Sequence, residues 1–551
     1  MKYFFAFLYS FFVFFSSQAQ EKQYNFAQPM KIPISLNASF GELRDNHFHS
    51  GIDYATNRQE GKNVFSVDDG YVARIAVSPT GYGRALYIAH PSGYTSVYGH
   101  LQGFIPEIDS IVKDYQYKNQ RFKVDVELKE NQIPIKRGQH IAVSGSSGSS
   151  GGPHLHFEMR DTKTEEIINP MRFGFGITDL RKPSIRAVAL YPIAGVVNGK
   201  TSRLAIETIP DMGETRFQKP TVITAWGKIG LAVKAYDFID NSAKTLGVNE
   251  IRLFVDEKQI FDYKIDRFSF DESRYINSFI DFDNWKRNRS FFMKSFVEPN
   301  NRLRLFQTNA EKGMISISEE RDYKIRYEVI DTHGNKASIS FVITGKKAEI
   351  PAKPICEETL YFDRKNIVEK GNFRAIIPPN VLYTNMCLEY KRTPSKNYLS
   401  DIFQLQNHYT PLHDSIDVFL PFDANKIRNT RQLLVIKTNI QKPFGGKYEG
   451  GKMHFRTNEF GSFAVVIDSI PPKITPVPNT SFRFKITDNL SGINTCNGFI
   501  NGVWALFEYD EKSHSLFYKP DNRVSLKKPY KLRLEITDKV GNKAVYEKNV
   551  E

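Results

Sequence analysis

The hydrophobic pattern of this chain changes character twice. Residues 3–15 form an almost unbroken apolar run, preceded by Lys2 and followed by Ser16-Ser17-Gln18-Ala19. A charged start, a short apolar stretch and small residues are the pattern of a secretory signal peptide, so residues 1–19 are expected to be removed after Ala19. The run is shorter than the roughly 20 residues that span a bilayer. No cysteine near Ala19 supports lipid attachment, and no later segment is long and apolar enough to cross a membrane. Further on, residues 84–90 read as a strand ending in a turn at Pro91-Ser92-Gly93. From about residue 181 the chain is rich in Val, Ile, Phe and Tyr in short alternating runs, such as 250–255 and 530–536. Period-two alternation broken by turn residues predicts a mainly β chain ending in β-sandwiches.

The alternation carries a repeat. Val329-Ile330-Asp331-Thr332-His333-Gly334-Asn335-Lys336-Ala337 matches Ile536-Thr537-Asp538-Lys539-Val540-Gly541-Asn542-Lys543-Ala544. Each is a strand running into an Asp-x-x-Gly-Asn-Lys turn, where Asp and Gly-Asn suit a tight hairpin. Each has an upstream partner, Ala235-Tyr236-Asp237-Phe238-Ile239-Asp240-Asn241 and Ile486-Thr487-Asp488-Asn489-Leu490-Ser491-Gly492. Calcium is conceivable at these acidic turns, but turn chemistry accounts for them without it. The pattern resembles the immunoglobulin-like or fibronectin-like domains of bacterial surface proteins. Linkers are expected at Glu349-Ile350-Pro351-Ala352-Lys353-Pro354 and Ile467-Asp468-Ser469-Ile470-Pro471-Pro472. The division is therefore a leader at 1–19, a domain at 20–180, a β-sandwich at 181–346, a β-rich domain of unclear type at 347–469 and a β-sandwich at 470–551.

Composition adds three constraints. A length of 551 residues with 40% hydrophobic content is enough for several cored domains. The cysteines, Cys356, Cys387 and Cys496, permit one intrachain disulfide at most, with Cys356 and Cys387 the closest pair, so disulfides are not the scaffold. A net charge of +14 suggests attraction to anionic envelope polymers. Nucleic acid is the other partner of a basic chain, but no nucleic-acid motif is present and export argues against it.

The chemistry concentrates in Ser149-Ser150-Gly151-Gly152-Pro153-His154-Leu155-His156-Phe157-Glu158. On a strand, His154 and His156 share one face, while Leu155, Phe157 and Met159 face a core. One ring can hold a metal beside another free for proton transfer. More ligands are offered by His49-Ser50-Gly51-Ile52-Asp53, where His49 and Asp53 share a face. Two imidazoles and a carboxylate, with water in the fourth position, are the usual set of a catalytic zinc. Tyr98-Gly99-His100-Leu101 adds a second candidate base or transition-state donor.

These motifs, in this order, resemble the LytM/lysostaphin-type zinc metallopeptidases, which cut peptide bonds in bacterial peptidoglycan. The resemblance covers roughly residues 35 to 175. It implies an antiparallel β-sheet zinc peptidase domain, with His49, Asp53 and His156 as Zn2+ ligands. It implies that His154 and His100 are the catalytic, non-ligand histidines. The stretch after His100, through Asp114-Tyr115-Gln116-Tyr117-Lys118, exceeds the family's usual connection, and a loop or hairpin on the rim is expected there. Glu158 is a candidate for orienting a ligand histidine. His47, His90 and His140 read as structural. The Gly/Ser run at 145–152 reads as a close approach to substrate. The implied protein is an exported zinc endopeptidase of the periplasm, outer envelope or exterior, acting on peptidoglycan peptides. A non-hydrolytic envelope regulator, which would ordinarily lack ligands, and an adhesin or scaffold are the alternatives.

Overall fold

A computed structural model describes residues 24–551, except 131, 212, 213, 241, 243, 353, 424 and 426. The expected leader lies outside the described residues. The chain is mainly β, as its alternation predicts, and nearly every strand pairing is antiparallel.

The first unit is built on a sheet in the order Leu36–Ala38, Ile52–Ala55, His154–Asp161, Tyr94–Gly99, Arg84–Ala89, Gly70–Val77 and Val124–Glu127. Its central strand is covered on both faces. Leu155, Phe157 and Met159 are fully buried on one side, and Phe157 packs on Tyr54, Tyr98 and Phe175. Burying one such ring is worth about 1.5–3 kcal/mol. The other face buries His156, Glu158 and Arg160, which only a paired polar network can tolerate. A small sheet of Asn63–Phe65, His140–Ser144 and Leu101–Phe104 lies alongside and delivers the Gly/Ser run.

The expected rim loop or hairpin after His100 is instead an α-helix, Pro106–Asn119. Its sequence explains this. Pro106 sits in the first turn, Glu107 and Asp109 complement the N-terminal dipole, Lys118 lies in the last turn, and Ile108 and Val112 bury one stripe. Gln120 closes the helix in the left-handed conformation.

The apolar core runs without interruption from this unit into the next, from Phe26 to Ile343. Ile167–Ile168 also pairs with Arg267–Phe268 across the 180/181 boundary. In the second unit the strands Thr224–Tyr236, Ser184–Val197, Leu204–Asp211, Glu214–Phe217 and Lys336–Gly345 pair in turn. Lys336–Gly345 then pairs with Thr224–Tyr236, closing the path on itself. Among the described residues, the segment after 347 forms two five-stranded sheets around its own core, and the last segment two four-stranded sheets around another. Cys356 and Cys387 form a disulfide at the entrance of the former, and Cys496 is free.

The last unit folds back onto the first. Arg84 pairs with Glu508 at 2.5 Å, Arg523 with Asp114 at 2.6 Å, and Tyr117 donates to Asp521 at 2.8 Å while its ring meets Trp504 edge-on. Lys512 donates to the carbonyls of Ser146 and Ser150 in the Gly/Ser run. No helix among the described residues is long and apolar enough to cross a membrane.

Candidate metal centre

Strand register brings the chemistry together. Ile52–Ala55 pairs with His154–Asp161 so that Asp53 lies opposite His156. On the other edge Gly99 lies opposite His156, which sets His100 beside the histidine pair. The approach is close enough to demand glycine: a Cβ on Gly51 would lie 2.3 Å from the Phe157 carbonyl oxygen.

Three donor atoms converge. His49 Nε2 lies 3.1 Å from both His156 Nδ1 and Asp53 Oδ1, and the latter two are 2.9 Å apart. The outer ring nitrogens are engaged elsewhere. His49 Nδ1 donates to the Ser39 carbonyl at 2.7 Å, and His156 Nε2 to Glu158 Oε1 at 2.9 Å. Those bonds select the tautomers whose lone pairs point inward. Two imidazole lone pairs and a carboxylate oxygen at this spacing suit a cation, and their chemistry fits zinc.

The electrostatics favour positive charge at the same point. Burial opposes charge on His156 but is outweighed by hydrogen bonds to Asp53 and Glu158, which raise its pKa to about 9. Burial also opposes ionisation of Asp53, yet His49 and His156 hold its carboxyl well below the usual range. Glu158 is fully buried; Arg160 and His156 overcome that burial and depress its pKa. Arg160 Nε at 2.7 Å and the Tyr82 hydroxyl at 2.5 Å donate to its oxygens. The carboxylate is thereby locked as acceptor for His156.

His100 and His154 stand next to this cluster with ring centres 4.8 Å apart. His100 Nδ1 donates to the Ser147 carbonyl at 2.9 Å and His154 Nδ1 to that of Gly152 at 2.8 Å. In those tautomers each Nε2 is an acceptor, and donation to an oxyanion can follow only after proton uptake. His154 Nε2 is 3.5 Å from Asp53 Oδ1. Burial lowers the pKa of both; for His100, repulsion from His156 and His154 adds to it and the value falls to about 3. His100 holds a left-handed φ of 58°, a conformation sparsely used by non-glycine residues, and its N–H is fixed on the Tyr82 carbonyl at 2.8 Å.

All five predicted residues are thus brought together. Of the other histidines, His90 is buried between the Asp69 carbonyl and Ser96, while His47 and His140 are exposed. The sequence reading missed Arg160, Tyr82 and Ser39. Arg160 was findable, since it lies two residues past Glu158 on the same strand face. Tyr82 and the Ser39 carbonyl carry no periodic signal.

Residues 47–117 match the model of peptidase family M23, and residues 357–468 that of the Zu5-like domain. An uncharacterized metalloprotease of Haemophilus influenzae is 33% identical over 110 residues, covering 20% of this chain and 18% of that protein. The peptidoglycan DD-endopeptidase ShyB of Vibrio cholerae is 36% identical over 111 residues, 20% of each chain. The murein hydrolase activator NlpD of Escherichia coli is 30% identical over 125 residues, 23% of this chain and 26% of that protein. The matches therefore span about a quarter or less of these relatives' lengths. The M23 match contains His49, Asp53 and His100, and the strand bearing His154 and His156 lies beyond it.

Proposed function

We propose that this chain is an exported zinc endopeptidase that hydrolyses peptide bonds in peptidoglycan stem or cross-bridge peptides. The observation that carries this is the convergence of His49 Nε2, Asp53 Oδ1 and His156 Nδ1, each oriented by a bond behind it or by its neighbours. These three would hold the metal and leave a coordination position open. Zinc bound there supplies Lewis acidity to a scissile carbonyl and an attacking water. The protein's own groups handle the protons. Carbonyls of Gly152 and Ser147 keep the Nε2 atoms of His154 and His100 unprotonated, so either can accept the proton of the attacking water. His154, nearer the carboxylate ligand, is the assigned base and returns the proton to the leaving amine. His100, held in its strained conformation, orients the same water. The Gly/Ser run borders the cluster through its Ser147 and Gly152 carbonyls, and the net charge of +14 favours an anionic envelope polymer.

Dye-labelled sacculi test this. Zinc-loaded protein is expected to release dye, a chelator to stop release, and added zinc to restore it. Absence of release by the zinc-loaded protein would overturn the enzymatic reading. The relative named a murein hydrolase activator supports a regulatory alternative. Its signature would be a protein silent alone that stimulates release by an added murein hydrolase.

A further inference from the structure

The two acidic turns of the internal repeat are built alike. Asn335 Nδ2 donates to the Asp179 carbonyl at 3.0 Å and to Asp331 Oδ2 at 2.7 Å. Asn542 Nδ2 donates to the Asp468 carbonyl at 2.8 Å and to Asp538 Oδ2 at 2.7 Å. In both turns Oδ1 of the leading Asp accepts two backbone N–H groups. Asp179 and Asp468 therefore correspond, each on the segment that enters its unit. Asp237 and Asp488 correspond too, each immediately following a strand, Thr224–Tyr236 and Arg483–Thr487. Carboxylate oxygens of Asp468, Asp488 and Asp538 lie within 4.8 Å of one another, and donor atoms of Asp179, Asp331 and His333 do likewise.

Turn chemistry explains the bonded oxygens but not the others. Asp237 is 5% exposed and its Oδ1 is buried with no hydrogen-bond partner among the described residues. At the corresponding place in the last unit, Asp488 Oδ1 is buried and unpartnered in the same way. Ser491, 2% exposed, gives its N–H to Asp468 Oδ2 at 3.0 Å, yet its Oγ is buried and unpartnered. A buried carboxylate oxygen bonded to nothing is costly, and here the cost recurs at one structural position in two units. Burial, reinforced by repulsion from Asp331 and Asp179, raises the Asp237 pKa to about 8. His333 donates from Nε2 to the Ile177 carbonyl, which leaves its Nδ1 lone pair as a nitrogen donor beside Asp179 and Asp331, so of the two clusters only Asp468, Asp488 and Asp538 is all oxygen.

We propose that the last unit binds a calcium ion on Asp468, Asp488 and Asp538. Hard, all-oxygen donor sets select calcium over zinc, and carbonyls and water complete its six to eight ligands. The ion joins the entry segment to two turns of the unit that follows, so it stiffens the junction between neighbouring units. This does not depend on the peptidase reading.

Isothermal titration of calcium into the full-length, zinc-loaded protein tests the proposal. One saturable site is expected, with a dissociation constant on the order of 1 mM or tighter, as in extracellular modules. Asp488→Asn keeps a turn-forming acceptor and is expected to abolish the saturable heat, whereas Asp237→Asn is expected to leave the single site intact. Calcium should also raise the wild-type unfolding midpoint beyond any effect of sodium chloride at equal ionic strength. Absence of saturable heat in the wild type overturns the proposal. So does a thermal shift that sodium chloride reproduces, or unchanged stoichiometry in the folded Asp488→Asn variant.

Discussion

At the scale of single residues, the two histidines of the central strand have separable roles. His156 contributes an inward lone pair to the donor cluster, whereas His154 stands beside it with its own Nε2 free of the metal set. His156→Ala is expected to lose bound zinc and activity together. His154→Ala is expected to keep stoichiometric zinc while kcat/KM falls about 10²–10⁴-fold; elemental analysis beside a hydrolysis assay separates them. The pH profile follows from the lowered pKa values of His154 and His100. A base whose pKa lies below 6.5 remains unprotonated through neutrality and is protonated only on further acidification. The acid limb of kcat/KM is therefore expected below pH 6.5, and a limb well above that value would exclude His154 as the base. Glu158→Gln should weaken zinc binding about 10–100-fold, because it loosens the acceptor that fixes His156; competition with a chromophoric chelator measures this.

At the scale of elements, strand register turns dispersed motifs into a site. Alternation along His154–Asp161 was readable because its two faces have opposite chemistry, and His49 and Asp53 were readable because their spacing suits one face. Their mutual distance was not readable, since it depends on which strands pair. Gly51 shows the coupling. Gly51→Ala sets a methyl against the Phe157 carbonyl, and the strands must part to accept it. The expected cost is about 1–3 kcal/mol in stability, with weaker zinc binding, measured by denaturant unfolding and chelator competition. The helix Pro106–Asn119 was missed for a physical reason. Its apolar stripe is thin, with Ile108 and Val112 alone among its aliphatic residues fully buried, so polar composition masked helical periodicity.

At the scale of the whole molecule, the β-rich tail was legible in its alternation and in the repeated acidic turns, but its return to the first unit was not. That return is carried by single side chains such as Glu508, Lys512, Asp521 and Arg523, none of which follows a periodic pattern. Part of the edge of the candidate site is consequently a tertiary contact between the chain's two ends. Asp521→Ala combined with Arg523→Ala removes the partners of Tyr117 and Asp114. Hydrogen exchange in Pro106–Asn119 is expected to rise in that variant, and unchanged exchange would mean that the last unit does not rest there in solution. The central claim remains hydrolysis of wall peptides at the His49, Asp53 and His156 cluster. Its most direct test is mass spectrometry of the fragments released from purified sacculi by zinc-loaded wild-type protein and by His156→Ala. The predicted result is fragments cut within stem or cross-bridge peptides, each cut gaining one water, with none from the variant. Glycan-only fragments, or equal release by His156→Ala, would contradict it.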